Sequence, residues 1–140
     1  MLGQAGYEVV ETGLLPDEIE EIKKYLYKLC DEIRVDIIFT TGGTGLSPRD
    51  CTPEATLAVA TRNVPGIAEA MRLASLQITP RAMLSRGVSV IRNGTLIINL
   101  PGSPKAAKEN LEAVLPSLDH GLAVLTGRAG ECGHEPAEIK

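Results

Sequence analysis

A near-continuous apolar run, Val35-Asp36-Ile37-Ile38-Phe39-Thr40-Thr41, passes directly into Gly42-Gly43-Thr44-Gly45. Apolar residues at consecutive positions suit a strand covered on both faces, the condition of a strand in a parallel sheet flanked by helices. Glycines at its carboxyl end allow a tight turn and a close backbone approach to a ligand beyond the sheet edge. Such a strand needs helices on either side of the sheet, and the flanking sequence supplies them. Asp17 and Glu20 match the N-cap and N3 positions of a capping box. Ile19, Ile22, Leu26, Leu29 and Ile33 recur at helical spacing behind them, which predicts a helix over residues 18–32. Downstream, Thr52-Pro53-Glu54 reads as N-cap, proline at N1 and acidic first turn of a helix over 53–62. Asn63-Val64-Pro65-Gly66 stops it; Ile67, Ala70, Met71 and Ala74 carry a further helical stripe to Gln77, and Thr79-Pro80 opens a short helix to Leu84.

The remaining elements are strands and one more helix. Tyr7–Glu11 reads as a short strand, while Val88–Arg92 and Thr95–Leu100 flank Asn93-Gly94, a strong hairpin signal. Pro101-Gly102-Ser103-Pro104 ends the second of these and caps a helix over 105–115, with Leu122–Leu125 as a last apolar segment. The expected fold is a three-layer α/β/α sandwich with a mostly parallel sheet and a small β-hairpin. Its length of 140 residues, 44% of them hydrophobic, suffices for one such core. The domain is expected over residues 1–126, with 127–140 as a polar, glycine-rich, loosely ordered tail.

Charge and composition narrow the ligands. With 14 basic and 18 acidic residues the net charge is −4, which excludes a general electrostatic grip on nucleic acid. Aromatics are 3% of residues with no Trp, too few for a base-stacking platform. No apolar run approaches the roughly 18 residues of a membrane span, and Met1–Gly6 has no basic region of a signal peptide. Cys30, Cys51 and Cys132 are odd in number and have no CxxC spacing, which fits a reducing cytosol and a cytoplasmic protein. An anionic ligand must therefore be held locally.

In sheets of this type ligands sit outside the carboxyl ends of strands, where Gly42–Asp50 and Pro101–Lys105 both fall. Gly-Gly-Thr-Gly between a strand and a helix offers successive N–H groups and a helix N-terminus to a phosphate, or else serves only as a tight turn. It is neither a Walker A loop nor GxGxxG. Asp50 beside it has two readings. A carboxylate near phosphates implies a bridging cation, Mg²⁺ in particular, whereas a purely structural Asp50 would support the next helix through its dipole. Asp17 reads as a cap that also faces this edge, and Ser103 with Lys105 forms a second candidate anion site or an ordinary N-cap. Arg81 and Arg86 could reach an anion from the neighbouring segment or form an ordinary solvated face, His120 reads as favouring a helix C-terminus, and Cys132 with His134 lacks a second ligand pair.

The segments Thr40-Thr41-Gly42-Gly43-Thr44-Gly45, Pro48-Arg49-Asp50-Cys51-Thr52-Pro53-Glu54, Ala82-Met83-Leu84-Ser85-Arg86-Gly87 and Ile98-Asn99-Leu100-Pro101-Gly102-Ser103-Pro104-Lys105 closely resemble the MogA/MoaB family of molybdenum-cofactor biosynthesis. The gephyrin-type G domain is similar. The resemblance implies molybdopterin adenylyltransfer: ATP gives AMP to the terminal phosphate of molybdopterin, with Mg²⁺ required and pyrophosphate released. It places nucleotide phosphates on Thr41, Gly42, Gly43, Thr44 and Gly45, makes Asp50 the metal-linked carboxylate and Asp17 a second functional aspartate, and gives Pro101, Gly102 and Ser103 to the substrate pocket. It also implies a homotrimer or larger assembly and a molybdate-insertion protein as partner. Family members usually begin with a further strand and helix, about 30 residues, ahead of the part matching Ala5-Gly6-Tyr7, and this sequence starts without them. A non-catalytic molybdopterin-binding or scaffold role on the same fold, and a nucleotide-binding domain unrelated to molybdenum, stand as the alternative readings.

Overall fold

The structure, a computed structural model, describes residues 1–128. After a short 3₁₀ turn at Gly3–Ala5, the first long element is helix α1, Ile19–Tyr27, which continues as a π-helical segment over Lys28–Ile33 and ends at Arg34 in the left-handed region, φ 60°. Strand β1 is Ile37–Thr41, followed by helix α2, Thr52–Val59, and the two-residue strand β2, Arg62–Asn63. Helix α3 spans Pro65–Leu76, a 3₁₀ turn Pro80–Leu84, strand β3 Ser89–Arg92, strand β4 Thr95–Leu100, and helix α4 Pro104–Leu125.

The sheet order is β1-β4-β3-β2. β1 runs parallel to β4 with Ile38 opposite Ile97 and Thr41 opposite Leu100, while β4 with β3 and β3 with β2 are antiparallel. Three layers follow from the alternation of side chains along β4. Ile97 faces one way into a core with Ile22, Leu26 and Leu29 of α1 and Ala55 and Val59 of α2. Leu96, Ile98 and Leu100 face the other way, against Ala68 and Met71 of α3 and Leu111, Val114, Leu118 and Leu122 of α4. All six residues of β4 are buried, so this strand is the centre of the domain.

The α/β sandwich, the hairpin and most helices stand as the sequence predicts, and the departures have local causes. The sheet is mixed rather than mostly parallel, because only the β1–β4 pair among the described strands is joined by a crossover. Tyr7–Glu11 is no strand: it has no ladder partner among the described residues, and strand structure exists only where backbone groups pair across to a neighbour. Side chains hold it instead. Tyr7 donates to Asp119 of α4 at 2.9 Å, and Tyr25 of α1 donates to Glu11 at 3.2 Å. Asp17 does not cap α1, whose N-cap is Glu18 without a side-chain bond, so the capping box is not formed. Ile22, Leu26 and Leu29 are buried as the stripe predicts, whereas Ile19 and Ile33 at its ends stay exposed. The helix expected over 53–62 stops at Val59, and Arg62–Asn63 joins the edge of β3.

α4 is a single helix through Pro116 rather than a helix over 105–115 and a separate apolar segment. A proline inside a helix loses one hydrogen bond and costs about 3 kcal/mol. The buried stripe Leu111, Val114, Leu118 and Leu122 crosses it without a break and offsets that cost. His120 accordingly lies within the helix, five residues from its end at Leu125. The tail expected over 127–140, with Cys132 and His134, lies outside the described residues except for Gly127 and Arg128.

Along the edge of β1 away from β4 lies an open cleft of about 1270 Å³. It is bounded by the 7–17 segment, α1 and β1, and reaches Gly42, Gly43 and Thr52 at its end. The Tyr7 bond to Asp119 anchors one wall of this cleft. Burial, the bond to Asp119 and the carboxylate's charge together push the Tyr7 hydroxyl up to about 12. With the folded value above the unfolded one, this contribution is complete below the ordinary tyrosine range near about pH 10. It is lost as pH rises towards 12. Urea melts between these pH values should show a steeper fall in stability for the parent chain than for Tyr7→Phe; equal slopes would show that the bond contributes nothing.

Candidate active site

Parallel pairing in register brings the carboxyl ends of β1 and β4 to one edge. Gly42 N–H donates to Leu100 O at 3.2 Å, so the Gly42–Gly45 loop and the Pro101–Ser103 loop begin side by side. The two loops touch backbone to backbone: a Cβ on Gly102 would lie 3.2 Å from Gly42 Cα. Gly43 is bound more tightly. Its φ of 69° is the left-handed region, and a Cβ there would overlap Thr52 Oγ1 at the start of α2. The Thr52 N–H in turn donates to Gly43 O at 3.2 Å. Thus the glycine loop is seated directly on the N-terminal end of α2.

The donors of the loop are left open. The N–H groups of Gly43, Thr44, Gly45 and Leu46 take no acceptor among the described residues, although Thr44 itself is buried. Buried or half-buried backbone donors are ordinarily paired, so a run of free ones beside a helix N-terminus is a cradle for an anion. The sequence leaves a phosphate site and a plain tight turn both open for this loop, and the free donors are compatible with the first.

Asp50 lies against the same loop. Its Oδ2 accepts the Ser47 N–H at 3.0 Å, its own N–H donates to Ser47 O at 2.9 Å, and the carboxylate stands 2.9 Å from where a Gly45 Cβ would be. The side chain closes the 47–50 turn; it makes no cap on α2, whose N-cap is Cys51 without a side-chain bond. Asp17 is exposed and lines the cleft along β1. Burial pushes the Cys51 thiol up, and the charges of Asp17, Glu54 and Asp50 push it further against the opposing effect of Arg86. Both aspartates are thus close enough for their charges to act on Cys51, and the cleft that Asp17 lines reaches Gly42, Gly43 and Thr52.

On the β4 side, Ser103 is the N-cap of α4, and its hydroxyl accepts from Ala106 N–H at a long 3.5 Å, which leaves it able to engage a ligand. Thr41 is exposed at the end of β1. Lys105 is directed along α4 towards Glu109 at 4.0 Å and is exposed. Arg81 is exposed on the 3₁₀ turn, as a solvated residue would be.

Two features escape sequence reasoning. Asn99 is buried in β4 and donates to Thr40 Oγ1 at 2.9 Å and Thr56 Oγ1 at 3.1 Å, while its Oδ1 accepts Val88 N–H at 3.1 Å, tying β1, α2 and the residue before β3 together. Arg86 is no solvated residue: its guanidinium reaches Gly45 O, Asp50 O and Glu54 Oε1. Both lie in segments that carry the family resemblance, but the residues alone do not give their roles: Asn99 is one amide within an apolar strand, and the guanidinium of Arg86 finds its partners 32 to 41 residues away.

Helices on both faces of a sheet whose two parallel strands end at one edge, with open loop donors and Asp50 beside them, define an α/β/α domain with a candidate ligand site at that edge. Comparison with known proteins narrows this class. A family described as "probable molybdopterin binding domain" matches residues 1–120, and the chain belongs to it. A molybdopterin adenylyltransferase of Helicobacter pylori is 48% identical over 121 residues, covering 86% of this chain and 66% of that protein. Its Escherichia coli namesake is 54% identical over 105 residues, 75% of this chain and 54% of that protein. The crystal structure of the molybdopterin biosynthesis enzyme MoaB from Thermus thermophilus superimposes with a TM-score of 0.85 at 56% identity, covering 90% of this chain and 79% of that one. The chain thus spans two-thirds or less of the length of these curated relatives.

Gly43→Ala should destabilise the chain by more than about 1 kcal/mol, because alanine is strained at positive φ, and it should push the loop off Thr52. Gly121→Ala, in open space on α4, should instead leave stability unchanged or raise it. Urea midpoints of the two variants check this; a Gly43→Ala midpoint equal to that of the parent chain would show that the loop is not seated on α2.

Proposed function

We propose that this chain contributes to molybdenum-cofactor biosynthesis as a molybdopterin adenylyltransferase, transferring AMP from ATP to the terminal phosphate of molybdopterin with release of pyrophosphate. The observation that carries the reading is the run of four free N–H donors at Gly43–Leu46 with Asp50 against it. The names of the relatives support it: proteins about half identical to this chain are called molybdopterin adenylyltransferase.

The chemistry needs two phosphate-bearing substrates held together. A phosphate oxygen of molybdopterin attacks the α-phosphorus of ATP, the bond to the β-phosphate breaks, and pyrophosphate leaves with the electron pair. Little covalent work falls to the protein, which positions groups and neutralises charge. On this reading Thr41, Gly42, Gly43, Thr44 and Gly45 hold nucleotide phosphates by their backbone, and Pro101, Gly102 and Ser103 form the pterin side of the pocket. The close backbone contact of Gly42 and Gly102 sets the two halves side by side.

Mg²⁺ fits the donor set present. No group of three or more His, Cys, Asp or Glu among the described residues forms a complete cage, and this ion ordinarily takes one or two carboxylates with substrate phosphates. Asp50 would hold it, with Asp17 nearby, and the ion would supply neutralisation of the phosphate charge. The Asp50 carboxylate has one oxygen committed to Ser47 N–H and the other available.

The reading places the protein in the cytoplasm as a homotrimer or larger, delivering its product to a molybdate-insertion protein. No helix among the described residues is long and apolar enough to cross a membrane. An exposed apolar face suited to a subunit contact lies on α3 and the following turn, with Leu73, Ile78 and Met83 each more than half exposed.

Asp50→Asn tests the reading, because asparagine retains an oxygen for the Ser47 N–H and removes only the charge. Pyrophosphate release with molybdopterin, ATP and Mg²⁺ should fall by roughly 100-fold or more, the scale of lost metal-assisted charge stabilisation, with the melting temperature little changed. Equal release by the variant would overturn the role given to Asp50.

A further inference from the structure

We propose that Arg86 is the positioning residue of this site, the group that holds the glycine loop and the Asp50 turn in donor-presenting geometry; the proposal rests on the adenylyltransfer reading only for the identity of the ligand. The Arg86 backbone N–H donates to Thr44 O at 2.8 Å, Nε to Gly45 O at 2.8 Å, Nη2 to Asp50 O at 2.8 Å, and Nη1 to Glu54 Oε1. One residue thus gathers both sides of the loop and the first turn of α2. It is half-buried, with Nε and one N–H of each terminal nitrogen committed to the loop, the turn and α2.

The contacts matter through the peptide plane. In a trans peptide the carbonyl and the following N–H point in opposite directions. Anchoring the carbonyls of Thr44, Gly45 and Asp50 on Arg86 therefore turns the N–H groups of Gly45, Leu46 and Cys51 away from it. These three donors take no acceptor among the described residues. The arginine also offsets three inward-facing carbonyl dipoles that would otherwise crowd without a donor. A planar fork with fixed N–H directions can serve two carbonyls and a carboxylate at once, and a lysine cannot. Arg86 thus acts on the ligand through the backbone it orients, not through its charge.

Arg86→Lys separates these roles, because it keeps the charge and loses the fork, and Glu54→Gln removes the ion pair while keeping both carbonyl bonds. ATP–Mg²⁺ affinity and AMP transfer are measured for the parent chain and both variants, with melting temperatures alongside. Arg86→Lys should weaken nucleotide binding and transfer by roughly 10- to 100-fold, the scale of a small misplacement of reacting groups, with the KM for molybdopterin little altered. Glu54→Gln should stay near the parent value. Lysine restoring full binding and transfer would overturn the proposal, as would a loss in KM for the pterin alone. If the parent chain transfers no AMP, the adenylyltransferase reading fails by itself. Arg86 is then judged on inorganic pyrophosphate binding: tight binding by the parent and loss in Arg86→Lys supports it, and weak or equal binding by both overturns it.

Discussion

The parallel, in-register pairing of β1 with β4 is the constraint on which the rest depends. Because Thr41 lies opposite Leu100, both strands end at the same level and their loops leave the sheet together. An antiparallel arrangement would send the loops to opposite ends and leave no shared edge. The pairing holds because Ile38 and Ile97 are buried on one face while Leu96, Ile98 and Leu100 are covered by α3 and α4 on the other. A shift of one residue would reverse every side chain of β4 and place Thr95 and Asn99 in the apolar layer beneath α4.

Polar groups finish what apolar packing begins. Asn99 and Thr95 face the α1–α2 side of the sheet, where Thr95 donates to Val35 O at 2.6 Å and Asn99 links Thr40, Thr56 and Val88. Every buried side-chain polar atom among the described residues has a partner. The backbone N–H groups of Gly43–Leu46 take no acceptor among the described residues, which leaves them open to a ligand. Rigid support lies below the loop, in Asn99 and Thr52, and beside it, in Arg86, while the side facing outward is open.

Much of this was legible in the residues because it rests on local physics. The Thr52-Pro53 start of α2, the Asn93-Gly94 turn with Asn93 at φ 52° and the apolar β4 all follow from backbone preference and periodicity over a few positions. The glycine loop and Asp50 were legible for the same reason, since loop and turn lie within ten residues. What could not be read depends on distant partners. Tyr7–Glu11 carries a strand-like pattern but finds no ladder among the described residues, and Asp17 carries a capping pattern while α1 begins one residue later. The helix expected over 105–115 continues through Pro116, because packing of α4 on the sheet outweighs the cost of an interior proline. The contacts of Arg86 were not legible, because they are made to carbonyls 36 and 41 residues away.

The central claim is that the backbone N–H groups of the glycine loop receive nucleotide phosphates. Amide chemical shifts of the isotopically labelled chain, followed as ATP and Mg²⁺ are added, test it most directly. The account predicts that the Gly43, Thr44, Gly45 and Leu46 amides move furthest and that their hydrogen exchange slows. Saturable binding that leaves these four amides unmoved, with shifts confined to other parts of the chain, would contradict it.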